Sequence, residues 1–597
     1  MLKRLVEIVL KYRLVVLALA GVLVIVGIAA LVKLPFDAFP DTTPVMVQVN
    51  VSAPGWAAED LERLVTYPVE QSLTGLSGLT EVRSVTKYGL CQVTTIFEDR
   101  IDLYLARQQV NERLVTVELP EGVASPELGP VSTGLGEVFH YIVIGNSADK
   151  TEPRTAQDWI IKPQLLSSPG VAEINSWGGF KKQFHILFDP FALSKYQLSL
   201  TEVVDHLKED LTNVPGGQIV RGGELTLIRG LAMVENVKDI EDIVVASQES
   251  VPIYIKDIAD VAIGHEIRLG ATTYNGQGEV VLGLGFMITG EVPSRVTQAL
   301  AQNLENTKQS LGDSVKVIPV YQRTDLVKKV LLTVEHNLFY GAILVIAVLF
   351  IFLGNLRAGL IVASSIPLSM LFAFDLMSRA GIAGSLMSLG AIDFGLAVDN
   401  AVIQVENSVR RLSQSADSSV SRMEIIRDAI LEVRKPTLFG ELIIIIVYLP
   451  ILTLEGVEGK LFIPMALTVV FVLTGSLLLS FTVIPALIGT FLTKKVKERE
   501  PKFVEWLRRK YEPVLNFALN KSKSVLIVAL VLVLAGAFWF TRMGAEFVPR
   551  LSEGTIAINI VRLAGISLEQ TVAYNTQIEK ILLEKFPDEV DHVWTRS

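Results

Sequence analysis

The sequence predicts a membrane-spanning α-helical bundle that carries large α+β domains outside the membrane. The chain has 597 residues, of which 50% are hydrophobic, and its mean hydropathy is +0.45. That composition is more apolar than a typical soluble protein. Charged residues nevertheless make up 20% of the chain, which is too many for a protein buried entirely in lipid. Long apolar runs also alternate with stretches that have strand and helix periodicity, so both kinds of domain are expected.

The composition excludes several classes of function. The formal charge of −9 is spread along the chain without a basic block, so no nucleic-acid partner is expected. The single Cys91 excludes a disulfide within the chain, and the strand pattern around it predicts a buried, inert thiol. Neither a Walker phosphate-binding loop nor an HExxH metalloprotease motif is present. We therefore predict no enzyme, no cofactor and no ATP-driven transport by this chain.

Seven apolar runs approach or exceed the length of about 20 residues that crosses a bilayer. They cover residues 14–32, 338–353, 358–376, 382–405, 438–454, 462–492 and 525–540. The first run could be a signal peptide, but it is long, lacks a clear cleavage site and precedes six more, so we interpret it as a retained span. The sixth exceeds the bilayer thickness, and Pro464 and Pro485 within it predict a kink.

Basic residues predict the orientation. Clusters of lysine and arginine precede the first span, separate the fourth from the fifth, and separate the sixth from the seventh. All three clusters lie on one side if the N-terminus is cytoplasmic. Residues 33–335 and the residues after 541 then lie outside, which in the inner membrane of a Gram-negative cell means the periplasm.

The predicted domains follow from these spans. They are residues 1–32 with the first span, 33–335 outside the membrane, 336–500 with spans two to six, 501–522 as an amphipathic helix, 523–541 with the seventh span, and 542–597. The region 33–335 shows the element order β-α-β-β-α-β of a ferredoxin-like unit, with an α/β insertion at about 190–300. Residues 501–522 are either an interfacial helix or a solvated connector. The last segment repeats the pattern that follows the first span, and this second repeat is truncated.

Three carboxylates mark the fourth span, Asp393, Asp399 and Glu406. An ionised carboxylate in mid-membrane costs on the order of 3 kcal/mol, so such residues are usually functional and face the bundle interior. On a helix Asp399 and Glu406 lie roughly 20° and about 10 Å apart, whereas Asp393 lies roughly 120° from Asp399 and about 9 Å away. The pattern predicts a ladder of protonation sites. A structural hydrogen bond for Asp393 and an interfacial ion pair between Glu406 and Arg410 remain alternatives.

The motif DFGxxxDxAVxxxEN at residues 393–407 resembles the fourth span of heavy-metal efflux transporters in the resistance–nodulation–division (RND) superfamily, of the cobalt–zinc–cadmium type. The stretches PFDAFPDTTPVMVQV (35–49) and KPTLFGELIIIIVYLPILTLEGVEGK (435–460) are also similar to that branch. The resemblance covers essentially the whole chain. One departure is Asn400, where the family pattern has glycine.

This resemblance implies an inner-membrane proton antiporter that works as a homotrimer with a periplasmic adaptor and an outer-membrane channel. It implies porter subdomains of ferredoxin-like type, a docking domain, and a proton relay centred on Asp399 with Asp393 and Glu406 assisting. Family members are about twice as long, so the chain corresponds to an N-terminal half that lacks the rest of the relay and cleft. We therefore expect it not to transport alone.

The transported metal is predicted from the donors in the outer region. In copper and silver members methionines line the cleft, and the corresponding position here is Asn559. Divalent ions prefer carboxylate and imidazole, and GLGEVFHY offers Glu137 and His140, although each is also an ordinary strand residue. The sequence favours Zn, Co, Cd or Ni as cargo. The alternatives are an organic-solute pump of the same superfamily and a non-transporting membrane module.

Overall fold

A computed structural model describes residues 2–597 except 38–39, 249, 269, 391, 393, 415–419, 493–501, 545–553 and 564. The chain divides into two compact units. The first comprises Met1–Leu135, Val292–Ser294 and Arg323–Ile558, and the second comprises Gly136–Glu291, Arg295–Gln322 and Asn559–Ser597.

The described helices and strands are numbered in chain order. The helices are α1 (Leu2–Lys11), α2 (Arg13–Lys33), α3 (Ala58–Leu61), α4 (Tyr67–Leu73), α5 (Leu103–Leu114), α6 (Glu152–Ala156), α7 (Lys162–Leu166), α8 (Pro190–Lys195), α9 (Leu200–Asp210), α10 (Val237–Glu241), α11 (Ile255–Ile258), α12 (Pro293–Lys308), α13 (Arg323–Leu353), α14 (Leu356–Ala363), α15 (Ser365–Arg379), α16 (Leu386–Gly390), α17 (Phe394–Gln414), α18 (Arg422–Tyr448), α19 (Gly456–Phe481), α20 (Val483–Phe491), α21 (Lys502–Asn520), α22 (Ser522–Phe540) and α23 (Leu568–Lys585). The strands are β1 (Val45–Ser52), β2 (Leu79–Lys87), β3 (Leu90–Phe97), β4 (Glu127–Leu128), β5 (Glu137–Gly145), β6 (Val171–Trp177), β7 (Lys182–Phe188), β8 (Val214–Arg221), β9 (Glu224–Gly230), β10 (Val244–Gln248), β11 (Val251–Tyr254), β12 (Ala259–His265), β13 (Thr272–Tyr274), β14 (Glu279–Met287), β15 (Val315–Gln322) and β16 (Trp594–Arg596).

The first unit contains an α+β domain built on the sheet β2-β3-β1-β4. Alternate residues of β1 are buried, namely Val47, Val49 and Val51, and β3 buries its own alternate residues opposite them. Helices α3, α4 and α5 supply the other half of this core. Asp102 starts α5 by accepting hydrogen bonds from two backbone amides of its first turn.

The strand that closes this first sheet differs from the predicted one. The sequence pattern suggested VFHYIVIG, whereas the closing strand is the short β4, which pairs with β1. Residues 137–145 form β5, which pairs on both sides in the second unit. The physical reason is visible in its burial, because six consecutive residues of β5, Val138–Val143, are buried, and a strand buried on both faces belongs in the middle of a sheet.

Seven described helices are long and apolar enough to cross a membrane. They run over Arg13–Lys33, Arg323–Leu353, Leu356–Arg379, Met387–Gln414, Arg422–Thr453, Gly456–Phe481 and Ser522–Phe540. Each overlaps one predicted run, and the long sixth run is broken at Thr482 into α19 and α20. Helices α14, α15 and α17–α20 share a buried apolar core. Helix α22, by contrast, is exposed along its whole length, so its apolar side chains are suited to face lipid or another protein.

The second unit is organised around a six-stranded sheet, in which β15, β5, β14, β13 and β16 follow one another and β6 also pairs with β14. Strands β13 and β14 fall within the predicted insertion at 190–300 but belong to this sheet. A separate, smaller apolar core precedes β13 in the chain. It is formed by residues of β7, α8–α11 and β10–β12. The insertion is therefore shorter than its sequence pattern suggested.

The strand expected at EGTIAINI has no counterpart in the structure. The described residues 555–560 lie outside any sheet, and most are exposed. In the first repeat β1 is held by hydrogen bonds to β3 and β4, and no described strand offers such pairing here. Helix α23 follows, and β16 joins the sheet of the second unit through β13.

Candidate functional site

Most residues of helix α17 are buried or half-buried, and most of its exposed residues form one narrow stripe along the helix. Its exposed positions are Gly395, Asp399, Glu406, Arg410, Arg411 and Gln414, and the first four follow the spacing of one helix face. The other faces pack into the apolar core of the bundle against neighbouring helices. Asp399 and Glu406 therefore line an opening in the packing of this unit rather than its core.

The three predicted relay acids have different outcomes. Asp399 and Glu406 both lie on the open stripe, as their spacing of seven residues predicts. Asp393 lies outside the described residues. Charged side chains within membrane spans avoid lipid and face protein or water-filled space. The stripe is accordingly a candidate for a surface that meets another protein segment or a water path.

The ion pair expected between Glu406 and Arg410 is not formed among the described residues. Arg410 Nη2 instead donates a hydrogen bond to Oδ1 of Asn407 at 2.7 Å. Asn407 in turn donates to Ala429 O and to Glu432 Oε2 on α18, at 2.7 and 3.0 Å. These contacts fix the inner end of α17 against α18 and leave the Glu406 carboxylate on the open stripe.

A second carboxylate, which the sequence reasoning missed, lies inside the bundle behind this stripe. Glu441 on α18 has only 5% of its surface exposed, and its Oε2 accepts a hydrogen bond from Nδ2 of Asn400. Asn400 follows Asp399 directly, so it points about 100° away from the open stripe into the α17–α18 interface. The two helices thus place one acid on each side of Asn400.

Arg434 is the buried cation of the same region. It is 1% exposed and lies seven residues before Glu441, so both side chains occupy one face of α18 about 10 Å apart along its axis. Its Nη1 donates to the carbonyl of Ser480 at 3.1 Å, and its guanidinium carbon lies 3.1 Å from the centre of the Phe481 ring. The bundle therefore encloses both a carboxyl group and a guanidinium group.

The sequence held a signal for this pair. Glu441 interrupts the apolar run LFGELIIIIVYLPIL, and an ionisable residue in such a run is a functional candidate by default. The run was treated as a family motif, so its only acid was not considered separately. Arg434 stands next to Lys435 in the basic cluster and therefore appeared to belong to the cytoplasmic rim.

The predicted metal ligand Glu137 contacts its neighbour His140 in the second unit. The distance from His140 Nε2 to Glu137 Oε1 is 2.7 Å. Residues three apart on a regular strand point to opposite faces. However, β5 has a bulge at Val138: Phe139 pairs with Gly285, and Glu137 pairs with the next residue of β14, Phe286, which leaves Val138 unpaired in this register. That bulge brings the two side chains to one side.

The surroundings of Glu137 stabilise its ionised form. The imidazole of His140 and then the guanidinium of Arg596 lower the pKa of Glu137 below its ordinary value, against the opposing effect of burial. The His140 ring packs against Tyr321 and Trp594, with centroids 4.7 and 5.5 Å apart. The carboxylate and the imidazole are thus held in place by aromatic packing.

One further acid belongs to this region. Glu173 on β6 pairs with Phe286, the residue of β14 that also pairs with Glu137 on its other side. The two glutamates therefore lie in one row, two strands or roughly 10 Å apart. Within the described part of the chain, no three His, Cys, Asp or Glu side chains come close enough to hold a metal ion.

The described part of the chain thus combines seven helices that are able to cross a membrane with α+β domains, and two carboxylates of one such helix lie beside an opening in the packing. The chain belongs to the AcrB/AcrD/AcrF family, whose profile matches residues 5–597. The resemblance seen in the fourth span is thus confirmed, and the relatives are heavy-metal efflux pumps of the RND type.

Two relatives show the degree of similarity. The cobalt–zinc–cadmium resistance protein CzcA of Cupriavidus metallidurans is 44% identical over 615 aligned positions, which cover 100% of this chain and 58% of the relative. The nickel–cobalt–cadmium resistance protein NccA of Alcaligenes xylosoxydans xylosoxydans is 38% identical, covering 98% and 58%. A crystal structure of a heavy-metal efflux pump superposes with a TM-score of 0.86 at 32% identity, covering 99% and 57%. The chain therefore spans less than two thirds of the length of these proteins.

Proposed function

We propose that this chain is a subunit of a proton-driven antiporter that exports divalent heavy-metal cations such as Zn, Co, Cd or Ni. The observation that supports this most is the open stripe of α17. A helix buried on its other faces exposes two carboxylates, Asp399 and Glu406, where exposure to lipid would cost several kcal/mol. Facing protein and water, these acids can bind and release protons as the bundle changes conformation.

In this proposal Asp399 is the central proton carrier, and Asp393 and Glu406 assist it. The open stripe receives the remaining polar groups of the relay, including a cation, from a protein segment outside this chain. That arrangement is consistent with the alignment to CzcA, in which this chain covers 58% of the relative.

The cargo proposal is supported by the Glu137 region and by the metals in the relatives' names. Glu137 is held ionised, and His140 and Glu173 lie nearby, so the donors are of the oxygen and nitrogen type that divalent ions prefer. Further ligands are needed, because the described residues contain no complete set. We propose that the metal enters from the periplasm or cytoplasm and leaves through an adaptor and an outer-membrane channel, with the pump assembled as a trimer in the inner membrane.

The proposal is tested by metal tolerance. We expect the chain, produced with an adaptor, a channel and the remaining pump half of a related system in a pump-deleted strain, to restore growth on zinc or cobalt. Asp399→Asn should abolish that growth. The matched control is Asp375→Asn on the third span, since Asp375 is held by Arg379 Nε at 2.9 Å and has no place in the relay.

Three results would contradict this proposal. Growth no better than without the chain would favour a non-transporting membrane module. Tolerance restored only to organic compounds would favour a solute pump of the same superfamily. Equal metal tolerance in wild type and Asp399→Asn would remove Asp399 from the mechanism.

A further inference from the structure

The buried interior between α17 and α18 contains polar groups that a relay along the open stripe does not use. Glu441, Arg434 and Gln404 are all at most 5% exposed. Each retains polar atoms that have no hydrogen-bond partner among the described residues: Oε1 of Glu441, Nε and Nη2 of Arg434, and both amide atoms of Gln404. Buried polar groups are normally satisfied by protein or ordered water, so this seam is suited to hold water.

The hydrogen bonds of Glu441 do not suit a permanently ionised carboxylate. Its two oxygens could accept about four hydrogen bonds, but only Oε2 receives one from a described residue, the amide of Asn400. The other polar neighbour is Ser476, whose hydroxyl donates to Ala397 O at 2.8 Å. A buried charge with so few neutral donors is poorly compensated, whereas a protonated carboxyl needs fewer donors and supplies one itself.

Two charged groups act on Glu441 from the described elements around it, and they have opposite signs. Arg434 lies on the same helix, and Asp399 lies on α17 beyond Asn400, while the facing part of α19 contributes the hydroxyls of Ser476 and Ser480. A negative Asp399 favours a proton on Glu441, and a positive Arg434 favours its loss. The protonation of Glu441 is therefore coupled to the state of Asp399, since arginine keeps its charge.

We propose that Glu441 is a second proton-binding site of the bundle, coupled to Asp399 across Asn400. Glu441 takes a proton from the water of the seam when Asp399 is ionised and returns it to that water when Asp399 becomes protonated. The pair then holds one proton over a wide pH range. Any role of this proton exchange in metal export rests on the proposed function. Proton binding by Glu441 is independent of that function.

The side chain of Asn400 connects α17 with Glu441 on α18. A glycine at position 400 would have no side chain to reach across the helix interface. Asn400 is 5% exposed and donates directly to Glu441, so it fixes the carboxyl beside Asp399. Asn400 is therefore a positioning residue for the second site.

Infrared spectroscopy of the full chain in lipid nanodiscs tests this proposal. At neutral pH we expect the C=O stretching band of a protonated carboxylic acid, which disappears at alkaline pH and is lost in Glu441→Gln. The matched control is Glu432→Gln on the same helix, because Glu432 is exposed and paired with Arg411 at 2.9 Å, so the band should remain. Asn400→Gly should retain the band but shift its frequency, since the hydrogen bond is lost.

Coupling is tested with Asp399→Asn. If the two carboxyls interact, removing the neighbouring negative charge should shift the pH at which the Glu441 band titrates, and an unchanged titration would contradict the coupling. An unchanged neutral-pH spectrum in Glu441→Gln, or an ionised Glu441 throughout the accessible pH range, would overturn the second site and leave a buried ion pair with Arg434. If Asp399→Asn abolishes metal tolerance but Glu441 gives no protonated band, only this inference is overturned. If the Glu441 band is present but Asp399→Asn leaves metal tolerance unchanged, only the proposed function is overturned.

Discussion

At the scale of single residues, Glu137 shows how local packing sets the charge of a candidate ligand. The strand bulge that brings His140 to Glu137, and the nearby Arg596 guanidinium, could not be predicted from the sequence, because both depend on pairing between distant strands. The residue types alone identified Glu137 and His140. The pairing register was needed to add Glu173.

The lowered pKa of Glu137 predicts a pH-dependent contribution to stability. The folded pKa lies below the unfolded one, so the contribution is fully present above about pH 4.3 and is lost as the pH falls through the folded value. Glu137→Gln should lower the free energy of unfolding by about 1 kcal/mol at pH 7 and by much less at about pH 3. Thermal unfolding followed by tryptophan emission measures this, with the exposed Glu209→Gln as control. A difference independent of pH would contradict the assignment.

Cys91 was predicted to be a buried thiol, and the structure confirms it. It is 0% exposed, Thr66 Oγ1 donates to its sulfur at 3.1 Å, and burial raises its pKa. Because the thiolate is the reactive form, a maleimide should label Cys91 only after denaturation. Ser77→Cys, in an exposed loop, should be labelled at once in the folded protein. Equal labelling rates at the two positions would show that the β1–β3 core opens readily.

At the scale of elements, hydropathy predicted all seven spanning helices, because their apolar runs are long and few soluble segments share that length. The outer domains were harder to predict. The apolar pattern of residues 137–145 is the same for a closing strand and for the central β5, and only the partners decide between them. The pattern at 555–560 likewise alternates like a strand but finds no described neighbour to pair with.

Helix α2 offers a matched test of close packing in the bundle. A Cβ atom on Gly27 would lie 2.5 Å from Leu371 Cβ on α15, whereas nothing lies within 4 Å of the corresponding position on Gly21. Small residues allow membrane helices to approach closely. Gly27→Ala should therefore lower the thermal unfolding midpoint in detergent, whereas Gly21→Ala should leave it unchanged or raise it. Equal effects would show that α2 does not pack on α15 as described.

At the scale of the whole molecule, the positions of basic residues predict the topology. Residue 77 should lie in the periplasm, and residue 520, the last residue of α21, should lie in the cytoplasm. In intact cells a membrane-impermeant maleimide should label Ser77→Cys but not Asn520→Cys. In permeabilised cells the maleimide should label both variants. Both residues are exposed in the structure, so accessibility within the fold does not limit the reaction. Labelling of Asn520→Cys in intact cells would reverse the predicted orientation.

The candidate proton-binding site could be predicted only in part. Asp399 and Glu406 were found because charges in an apolar run are conspicuous and their spacing gives a common face. The opening beside them, and the buried Glu441 and Arg434 behind, depend on how α17 packs against α18 and α19. No local pattern contains that information, because it arises from residues about 40 positions apart.

Proton movement in reconstituted vesicles tests the central claim most directly. The chain is reconstituted together with the complementary pump half, and internal pH is followed while zinc is supplied. We predict that zinc transport moves protons in the opposite direction, that a protonophore collapses the pH change, and that Asp399→Asn abolishes it whereas Asp375→Asn does not. Zinc transport with no accompanying pH change, or an unaltered change in Asp399→Asn, would contradict a proton-binding role for the fourth span.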